Sequence, residues 1–457
     1  MISISRLLSF LTRNAPTWDA AGTGNRLAKW TAPSTDFSTS LTPAMVRNRA
    51  RDAHRNNPWA RRAVSVLATS AVGGGIKPQL RLPSGRQEFT RAWNAWIDRC
   101  DFAGRRDFYG VQAATLREMV ISGEVLIRFV LDPQQAIPLQ LQVLGPEFLD
   151  TSRVDGRTLG GIEYDDAGRR VAYWLFAKHP AESPHMASVR VPAEQVIHLF
   201  EPLQPGFERG VSWLAPALLP LRELQEFMEA TLVRQKVGAL FTGFVRTPDG
   251  SNPVVSTAGV PALEPGAMIR LQPGEETEFP SLPDVGASFE PSVRAYLRSI
   301  ASALSLPYEL LSGDVSQVTF ASGRHSLIEF RRQIEYLQHH ILVFQFCRPV
   351  FDLWLRLAIA SGMLPGTIED YSSVRWIAPQ IEMLDPAAET RNLVAQVRAG
   401  FLSRAEVVSR TGWDVEDIDA EIASDNARAD RLGLVLDSDP RRVSQQGQAQ
   451  TEAADAK

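Results

Sequence analysis

Side chains that commonly bind metals occur in this sequence, but they do not stand at metal-binding spacings. The seven histidines are His54, His179, His185, His198, His325, His339 and His340. They form no HExxH motif, and neither Cys100 nor Cys347 joins a Cys/His pattern of the zinc-binding kind. His339 and His340 are adjacent on a predicted helix and point to different faces, which favours packing or a subunit contact. The sequence therefore predicts no metal site.

Candidate acid–base and nucleophilic residues also lack the partners that catalysis needs. Asp165 and Asp166 form a carboxylate pair, but they precede Ala-Gly between two strand-like segments, a pattern typical of a hairpin turn. No Gly-x-Ser-x-Gly motif occurs, and Ser302, Ser305 and Ser312 have no base nearby in the sequence. We predict no catalytic site and no cofactor. The alternative is an enzyme that processes nucleic acid or peptide through a site that the sequence does not reveal.

A short apolar run is stopped by Pro307 and Gly313. A polar loop follows it, and a long helix comes next. The loop covers residues 315–323. Apolar residues then recur at alternating steps of four and three, which predicts one apolar helix face. They are Phe330, Ile334, Leu337, Ile341 and Phe344. Pro349 predicts a kink, because proline cannot donate its N–H and clashes with the preceding turn. A helix of about 36 residues spans roughly 54 Å, which suggests a part of a large assembly.

Composition limits the class of protein. A chain of 457 residues with 44% hydrophobic residues predicts about three folded domains. The net charge of −4 argues against a generally basic surface that binds nucleic acid. Cys100 and Cys347 are too few for a disulfide framework and are expected to be reduced core residues of a cytoplasmic protein. No run approaches the ~18 apolar residues of a membrane span, and the N-terminus does not have the pattern of a signal peptide.

The pattern along the chain predicts an α+β protein of several parts. Residues 41–213 alternate helices and strands, with one short strand expected within 189–200. Residues 214–240 and 290–306 are helical, the second helix being expected from Ser292, and they enclose a small lobe rich in Pro and Gly at 241–289. The long helix and a connector fill 323–384, and three helices fill 385–435. Residues 1–40 are expected to form an extended, partly disordered arm, and residues 436–457 are expected to be a disordered tail. The helical region 43–69 is expected to divide at 56–58, where an Asn can cap a helix and Pro58 takes the first helical position. These arginine-rich helices are better explained by a solvated face or subunit seam than by a nucleic-acid contact.

Seven short motifs follow one another between residues 41 and 430. They are RARDAHRNNPWA at 49–60, GEVL at 123–126, RGVSWL at 209–214, RQK at 234–236, LEPG at 263–266, LPYELLSGD at 306–314 and QHH at 338–340. Their order and spacing carry the signal, since no single motif is diagnostic. The series resembles the lambda-type family of portal proteins from tailed double-stranded DNA phages.

That resemblance implies a ring of twelve copies at one capsid vertex of the virion, assembled in the host cytoplasm. Double-stranded DNA would be pumped in and later ejected through its channel. The implied partners are the major capsid and scaffolding proteins, terminase and the head–tail adaptor. The implied parts are a wing (41–213 with part of 323–384), a stem (214–240 and 290–306), a clip (241–289), a tunnel-loop region (307–322) and a crown (385–435).

The resemblance also implies two sets of contact residues. The DNA-facing set is Asp314, Ser316, Gln317, Thr319, Ser322 and Arg324. The clip set that docks partners is Met268, Arg270, Glu275 and Glu276. This sequence departs from the family pattern at the loop. Where the family often has Tyr after Gly-Asp and an Asn-Tyr-Ser-Ser run before the Arg, it has Val315 and TFAS at 319–322.

The loop's composition suits a channel through which DNA slides. Gln317, Thr319 and Ser322 can make weak, sequence-blind contacts to phosphates. Few basic residues lie near them, and each neutralised phosphate would add salt-dependent affinity. For Arg324, a contact to DNA and a salt bridge between subunits are equally compatible with the sequence.

Overall fold

The computed structural model describes residues 42–80, 85–182, 187–240, 244–246, 276–278, 286–379, 386–410, 413, 415–434, 436 and 439. Apart from Thr42, all of these belong to one compact unit that starts at Pro43. The predicted N-terminal arm, most of the predicted 241–289 lobe and nearly all of the C-terminal tail lie outside the described residues. The fold mixes helices and antiparallel sheets, so the α+β prediction is confirmed.

Two helices open the described chain, α1 (Thr42–Asn56) and α2 (Pro58–Val72). They are divided where the sequence predicted it. The Oδ1 atom of Asn57 accepts hydrogen bonds from the backbone N–H groups of Trp59 (3.1 Å) and Ala60 (3.2 Å), and Pro58 takes the first helical position. The inner face of α2 is fully buried and begins the main core.

The main core is built around aromatic side chains. They come from α3 (Arg86–Ile97), α4 (Phe108–Ser122) and the end of the long helix. The rings of Trp93 and Trp354 meet edge to face with centroids 4.8 Å apart, and the Nε1–H of Trp96 donates to the carbonyl of Leu139 (2.8 Å). Cys100 and Cys347 are buried free thiols, which confirms that they are core residues.

Two antiparallel sheets pack beside this core. The first strands of the described chain are β1 (Lys77–Leu80), β2 (Glu124–Val130), β3 (Gln140–Leu144), β4 (Thr158–Leu159), β5 (Ile162–Tyr164), β6 (Arg170–Phe176), β7 (Ser188–Pro192) and β8 (Val196–Phe200). One sheet has the order β3-β2-β8 and the other β4-β5-β6-β7. A smaller apolar cluster, including Leu126, Tyr173 and Val191, joins strands of both sheets.

The segment 189–200 differs from its prediction. The sequence predicted one short strand there, but β7 and β8 lie in different sheets. Pro192 has no N–H to continue the ladder, and a 3₁₀ turn, Ala193–Gln195, redirects the chain. The predicted turn at Asp165 is confirmed, because its Oδ1 accepts from the N–H groups of Ala167 (2.9 Å) and Arg169 (2.7 Å).

Two longer helices follow the sheets, α5 (Leu218–Leu240) and α6 (Gly286–Ala303). They pack together, with the rings of Phe227 and Phe289 stacked at 5.6 Å. Helix α5 begins after the 3₁₀ turn Ala215–Ala217. The sequence predicted that α6 begins after Pro291, but the helix begins before this proline, at Gly286. Between them, β9 (Phe244–Arg246) pairs with β10 (Glu276–Glu278) in an antiparallel ladder.

A short helix, α7 (Tyr308–Ser312), precedes the long helix, which is continuous but changes type. It consists of α8 (Phe320–Tyr336), a π-helical segment (Leu337–Cys347) and α9 (Arg348–Ala360). The irregular part of the long helix is thus the π segment, the eleven residues before Arg348. In the π segment the hydrogen bonds span five residues, so the predicted stripe loses its register. Phe344, expected to be buried, is 62% exposed, whereas Phe346 and Cys347 are buried.

Five elements complete the described chain. Helix α10 (Ile368–Tyr371) precedes β11 (Val374–Ile377), which pairs with β1. Then come α11 (Pro386–Arg398), α12 (Arg404–Arg410) and α13 (Val415–Leu432), close to the predicted three helices. Ion pairs between Arg375 and Glu406 and between Arg86 and Glu416 connect them to the rest of the unit. Within the described residues, no helix is long and apolar enough to span a bilayer.

Candidate functional site

Helix α7 sets the start of the candidate loop. Pro307 precedes its first residue, and Gly313 ends it with a φ of 75° while its N–H donates to the carbonyl of Glu309 (2.8 Å). A left-handed C-terminal residue of this kind favours glycine. The chain therefore leaves α7 in a defined direction, and Asp314 is the first residue of the loop.

Asp314 holds the base of the loop together. Its carboxylate accepts hydrogen bonds from the Tyr308 hydroxyl and the Ser316 N–H, both 3.0 Å, and an Arg294 nitrogen lies 3.8 Å away. The hydrogen bonds from Ser316 and Tyr308, with the charge of Arg294, lower the pKa of Asp314 to about 2. Its negative charge is thus kept at any pH at which the protein would work, and it acts within the loop's own base.

Two arginines from other helices contact α7. The Nε–H of Arg62, on α2, donates to the carbonyl of Leu310 (2.7 Å), and the Arg298 guanidinium lies 5.6 Å from the centre of the Tyr308 ring. Arg51, from the same arginine-rich region as Arg62, contacts Glu118 (2.5 Å) and Glu147 (2.9 Å). Arg51 and Arg62 therefore make contacts within the subunit.

The end of the loop lies four residues earlier than predicted. Helix α8 begins at Phe320 with Thr319 as its N-cap, so Ser322 and Arg324 belong to the helix. Thr319 and Ser322 form a reciprocal cap, in which each hydroxyl accepts from the other residue's backbone N–H (3.1 and 3.2 Å). The sequence prediction missed this start because the capping box carries Ser at the position where Glu or Gln is usual.

The exposed part of the loop is short. Ser316, Gln317 and Thr319 are exposed, as are Ser322 and Arg324 in the first turns of α8. The hydroxyls of Thr319 and Ser322 serve the helix cap, and the Ser316 hydroxyl bonds to Asp314. Among the described residues, Gln317 has no such side-chain partner, which makes it the polar group of the loop best able to contact a ligand.

The predicted clip contacts are mostly outside the described part of the chain. Met268, Arg270 and Glu275 lie there. Glu276 is described only as the first residue of β10, paired with Arg246 of β9. These four residues remain a prediction.

A buried charged cluster that sequence reasoning missed centres on Glu124, the first residue of β2. The Nε–H of Arg209 lies 2.9 Å from both of its carboxylate oxygens, and the Nη2 group of Arg209 also donates to Oε1. Oε2 accepts from His198 Nε2 and from the N–H of Gly210, both at 3.0 Å. The side chains of Glu124 and His198 are only 2% and 1% exposed.

The charges in this cluster are set by its contacts. Burial alone would raise the pKa of the Glu124 carboxyl, but the charge of Arg209 and hydrogen bonds from His198 and Arg209 outweigh it and hold the pKa well below its ordinary value. Burial also lowers the pKa of His198, so its ring is neutral and donates from Nε2. The cluster is thus an ion pair of Glu124 and Arg209, with His198 as a further hydrogen-bond donor, and it connects β2 and β8 to the segment entering α5.

Two glycines allow this connection. A Cβ atom on Gly123 would collide with the carbonyl carbon of Val211, and one on Gly210 would collide with the carbonyl oxygen of Gly123. The backbones at 123 and 210 therefore approach too closely for any other residue. The only sequence signal was that both motifs, GEVL and RGVSWL, place a glycine beside a charged residue.

The described residues contain no arrangement typical of catalysis. No group of three or more His, Cys, Asp or Glu in this part of the chain could hold a metal ion. A cleft of about 860 Å³ lies between the long helix and α11–α12. Its lining includes Glu335, His339, Glu406 and Arg410, and Glu406 is already paired with Arg375 and Arg410. Among the described residues that line it, we find no nucleophile with an activating base.

Comparison with known proteins identifies the family. The family model described as "Phage portal protein, lambda family" matches residues 23–338, more than two thirds of the chain. The chain belongs to the lambda family of phage portal proteins. The resemblance carried by the seven motifs is thereby confirmed. This family is structural and not catalytic, which agrees with the prediction made from the residues.

Individual portal proteins are similar at low identity over most of their length. A probable portal protein of Halomonas phage phiHAP-1 is 24% identical over 421 residues, which cover 85% of this chain and 81% of that protein. Portal protein B of Escherichia phage lambda is 21% identical, over 91% of this chain and 90% of the relative. A chain of a solved structure described as the virion of a native gene transfer agent particle is 15% identical. The match covers 85% of this chain and 97% of that chain, with a TM-score of 0.49.

Proposed function

We propose that copies of this portal protein form a closed ring of twelve at one capsid vertex of the virion, after assembly in the host cytoplasm. Double-stranded DNA passes through the bore during packaging and ejection. The observation that carries the proposal is the family match over residues 23–338, which spans the α+β region, both α5 and α6, the loop and much of the long helix. The major capsid and scaffolding proteins, terminase and the head–tail adaptor are its partners.

The parts of the chain take the roles that the family resemblance implies. Residues 41–213 with part of 323–384 form the wing, 214–240 and 290–306 the stem, 241–289 the clip and 385–435 the crown. In the clip, Met268, Arg270, Glu275 and Glu276 dock terminase and the adaptor. The packing of α5 on α6 and the pairing of β9 with β10 support a lobe carried at the end of two helices.

The loop at 314–319 and the first turns of α8 face DNA in this proposal. The base is held by Tyr308, Asp314 and the arginines of α2 and α6, while the exposed part offers amide and hydroxyl groups. Polar, uncharged groups contact phosphates without reading the base sequence. Because they release few counterions, such contacts add little affinity, and DNA can slide. Arg324 adds one cation per subunit, either to DNA or to a neighbouring subunit.

The test of the ring is direct imaging and mass measurement of the purified chain under assembly conditions. Negative-stain images should show closed particles with an axial hole, and native mass spectrometry should give a mass of about twelve chains. Particles that remain monomeric under every assembly condition would contradict the proposal, as would the discovery of a turnover reaction in an isolated subunit.

A further inference from the structure

Helices α11 and α13 expose most of their side chains, whereas only three of the seven residues of α12 are exposed. No residue of α11 is buried, and α13 buries only Ala429. Several large apolar side chains near these helices face solvent: Val394 is 41% exposed, Phe401 84%, Trp413 56% and Ile422 46%. Helices of this length gain most of their stability by packing an apolar face. The described residues of one subunit supply little of that packing, so a partner is expected to cover them.

The outer face of α11 is basic and apolar. Arg391, Val394 and Arg398 stand at steps of three and four, which places them on one side of the helix. Across α11 and α12 there are four arginines and two glutamates, so this pair of helices carries a net positive charge.

The turn that ends α11 consists of Ala399 and Gly400, and Phe401 follows Gly400 directly. Gly400 has a φ of 77°, the left-handed conformation that favours glycine at a helix end. The N–H of Phe401 donates to the carbonyl of Gln396 (3.0 Å), which holds the backbone of Phe401 close to the end of the helix. Val394 therefore lies between Arg391 and Arg398 along α11, and Phe401 lies just beyond Arg398.

The outer face of α13 carries the opposite charge. Asp417, Glu421 and Asp425 stand at steps of four on one side of the helix, and Ile422 is next to them. Helix α13 contains six acidic residues and two arginines. Carboxylates four residues apart repel one another within a helix. Asp425 already pairs with Arg428 (2.7 Å), so Asp417 and Glu421 gain most from a cation of another element.

We propose that, in the ring, α13 of one copy packs against α11 of the next, with Asp417 and Glu421 facing Arg391 and Arg398 and with Phe401 covered. This inference rests on the proposed ring and names an interface within it. Arg391 and Arg398 stand roughly 10 Å apart along α11, and Asp417 and Glu421 stand roughly 6 Å apart along α13, a difference that the long arginine side chains can span. Two different, complementary faces on one subunit give a head-to-tail contact, the kind that closes into a ring.

Charge reversal tests this interface. Arg391→Glu with Arg398→Glu, or Asp417→Lys with Glu421→Lys, should each lower the ring fraction at least tenfold in native mass spectrometry, and a chain with all four changes should recover it. Arg105→Glu with Arg106→Glu is the matched control, since both arginines are exposed on the loop before α4 and should tolerate reversal. Reversed pairs that assemble like the unsubstituted chain, or a fourfold variant no better than the pairs, would overturn the inference.

Cross-linking gives a second measurement that does not depend on ring yield. A mixture of Val394→Cys chains with Ile422→Cys chains should form covalent dimers, whereas Val394→Cys mixed with Val154→Cys should not, although Val154 is 67% exposed. The native cysteines, Cys100 and Cys347, are buried and should not react. Rings of the unsubstituted chain without these cross-links would overturn the interface alone. Absence of rings from the unsubstituted chain would overturn the proposed function as well.

Discussion

Glu124 shows how a single buried residue connects two parts of the subunit. Its carboxylate is hydrogen-bonded by Arg209, His198 and Gly210 and has almost no access to water. Glu124→Gln would keep the shape but leave Arg209 without its counter-charge. Since removing one partner of a buried pair costs about 3–5 kcal/mol, we expect a large fall in the denaturation midpoint of the chain, measured by urea titration with tryptophan fluorescence.

The pH dependence of that effect has a defined sign. The folded-state pKa of Glu124 is depressed, so its contribution is present above the unfolded-state pKa of about 4.3 and is lost as pH falls below it. The difference between the unsubstituted chain and Glu124→Gln should therefore shrink on acidification below about pH 4.5. Glu163→Gln, which breaks the exposed pair with Arg190, is the control and should change the midpoint little at any pH. Equal effects of the two substitutions would contradict the argument.

The start of α8 is the element whose position decides how much of the candidate loop is free. Thr319→Ala removes the cap hydroxyl that accepts from the Ser322 N–H, a loss of about 1 kcal/mol for helix ends of this kind. Amide hydrogen exchange of a peptide covering 319–325 should therefore become faster. Ser326→Ala is the control, because that hydroxyl donates only within the helix, to the carbonyl of Ser322 (3.2 Å). Unchanged exchange in Thr319→Ala would show that the cap does not hold this turn.

In the proposed ring, small changes in the loop are repeated in every subunit. Gln317→Lys would add about twelve cations to the bore of the proposed ring, and each could neutralise a phosphate. Packaging of DNA in vitro should become slower, and higher salt should relieve the effect. Gln134→Lys adds the same charge on an exposed residue of the loop between β2 and β3 and should leave packaging unchanged. Normal packaging by Gln317→Lys rings would contradict a DNA-facing position for Gln317.

The sequence by itself determined the features that depend on neighbouring residues. Asn57 and Pro58 divide two helices, Asp165 makes a hairpin turn, and most helix positions follow from the period of apolar residues, because caps, turns and amphipathic faces are local. The order of seven motifs was enough to indicate the portal family, and the family match confirms it.

Only the tertiary structure decided the features that depend on distant residues. Glu124 meets His198 and Arg209 from 74 and 85 residues away, and no local pattern predicts that meeting. Phe344 is exposed because the π segment changes the helix register. Strands β7 and β8 lie in different sheets because β7 pairs with β6 and β8 pairs with β2. Pairing across long separations is set by packing of the whole chain, whereas the sequence pattern reports only what each segment can form.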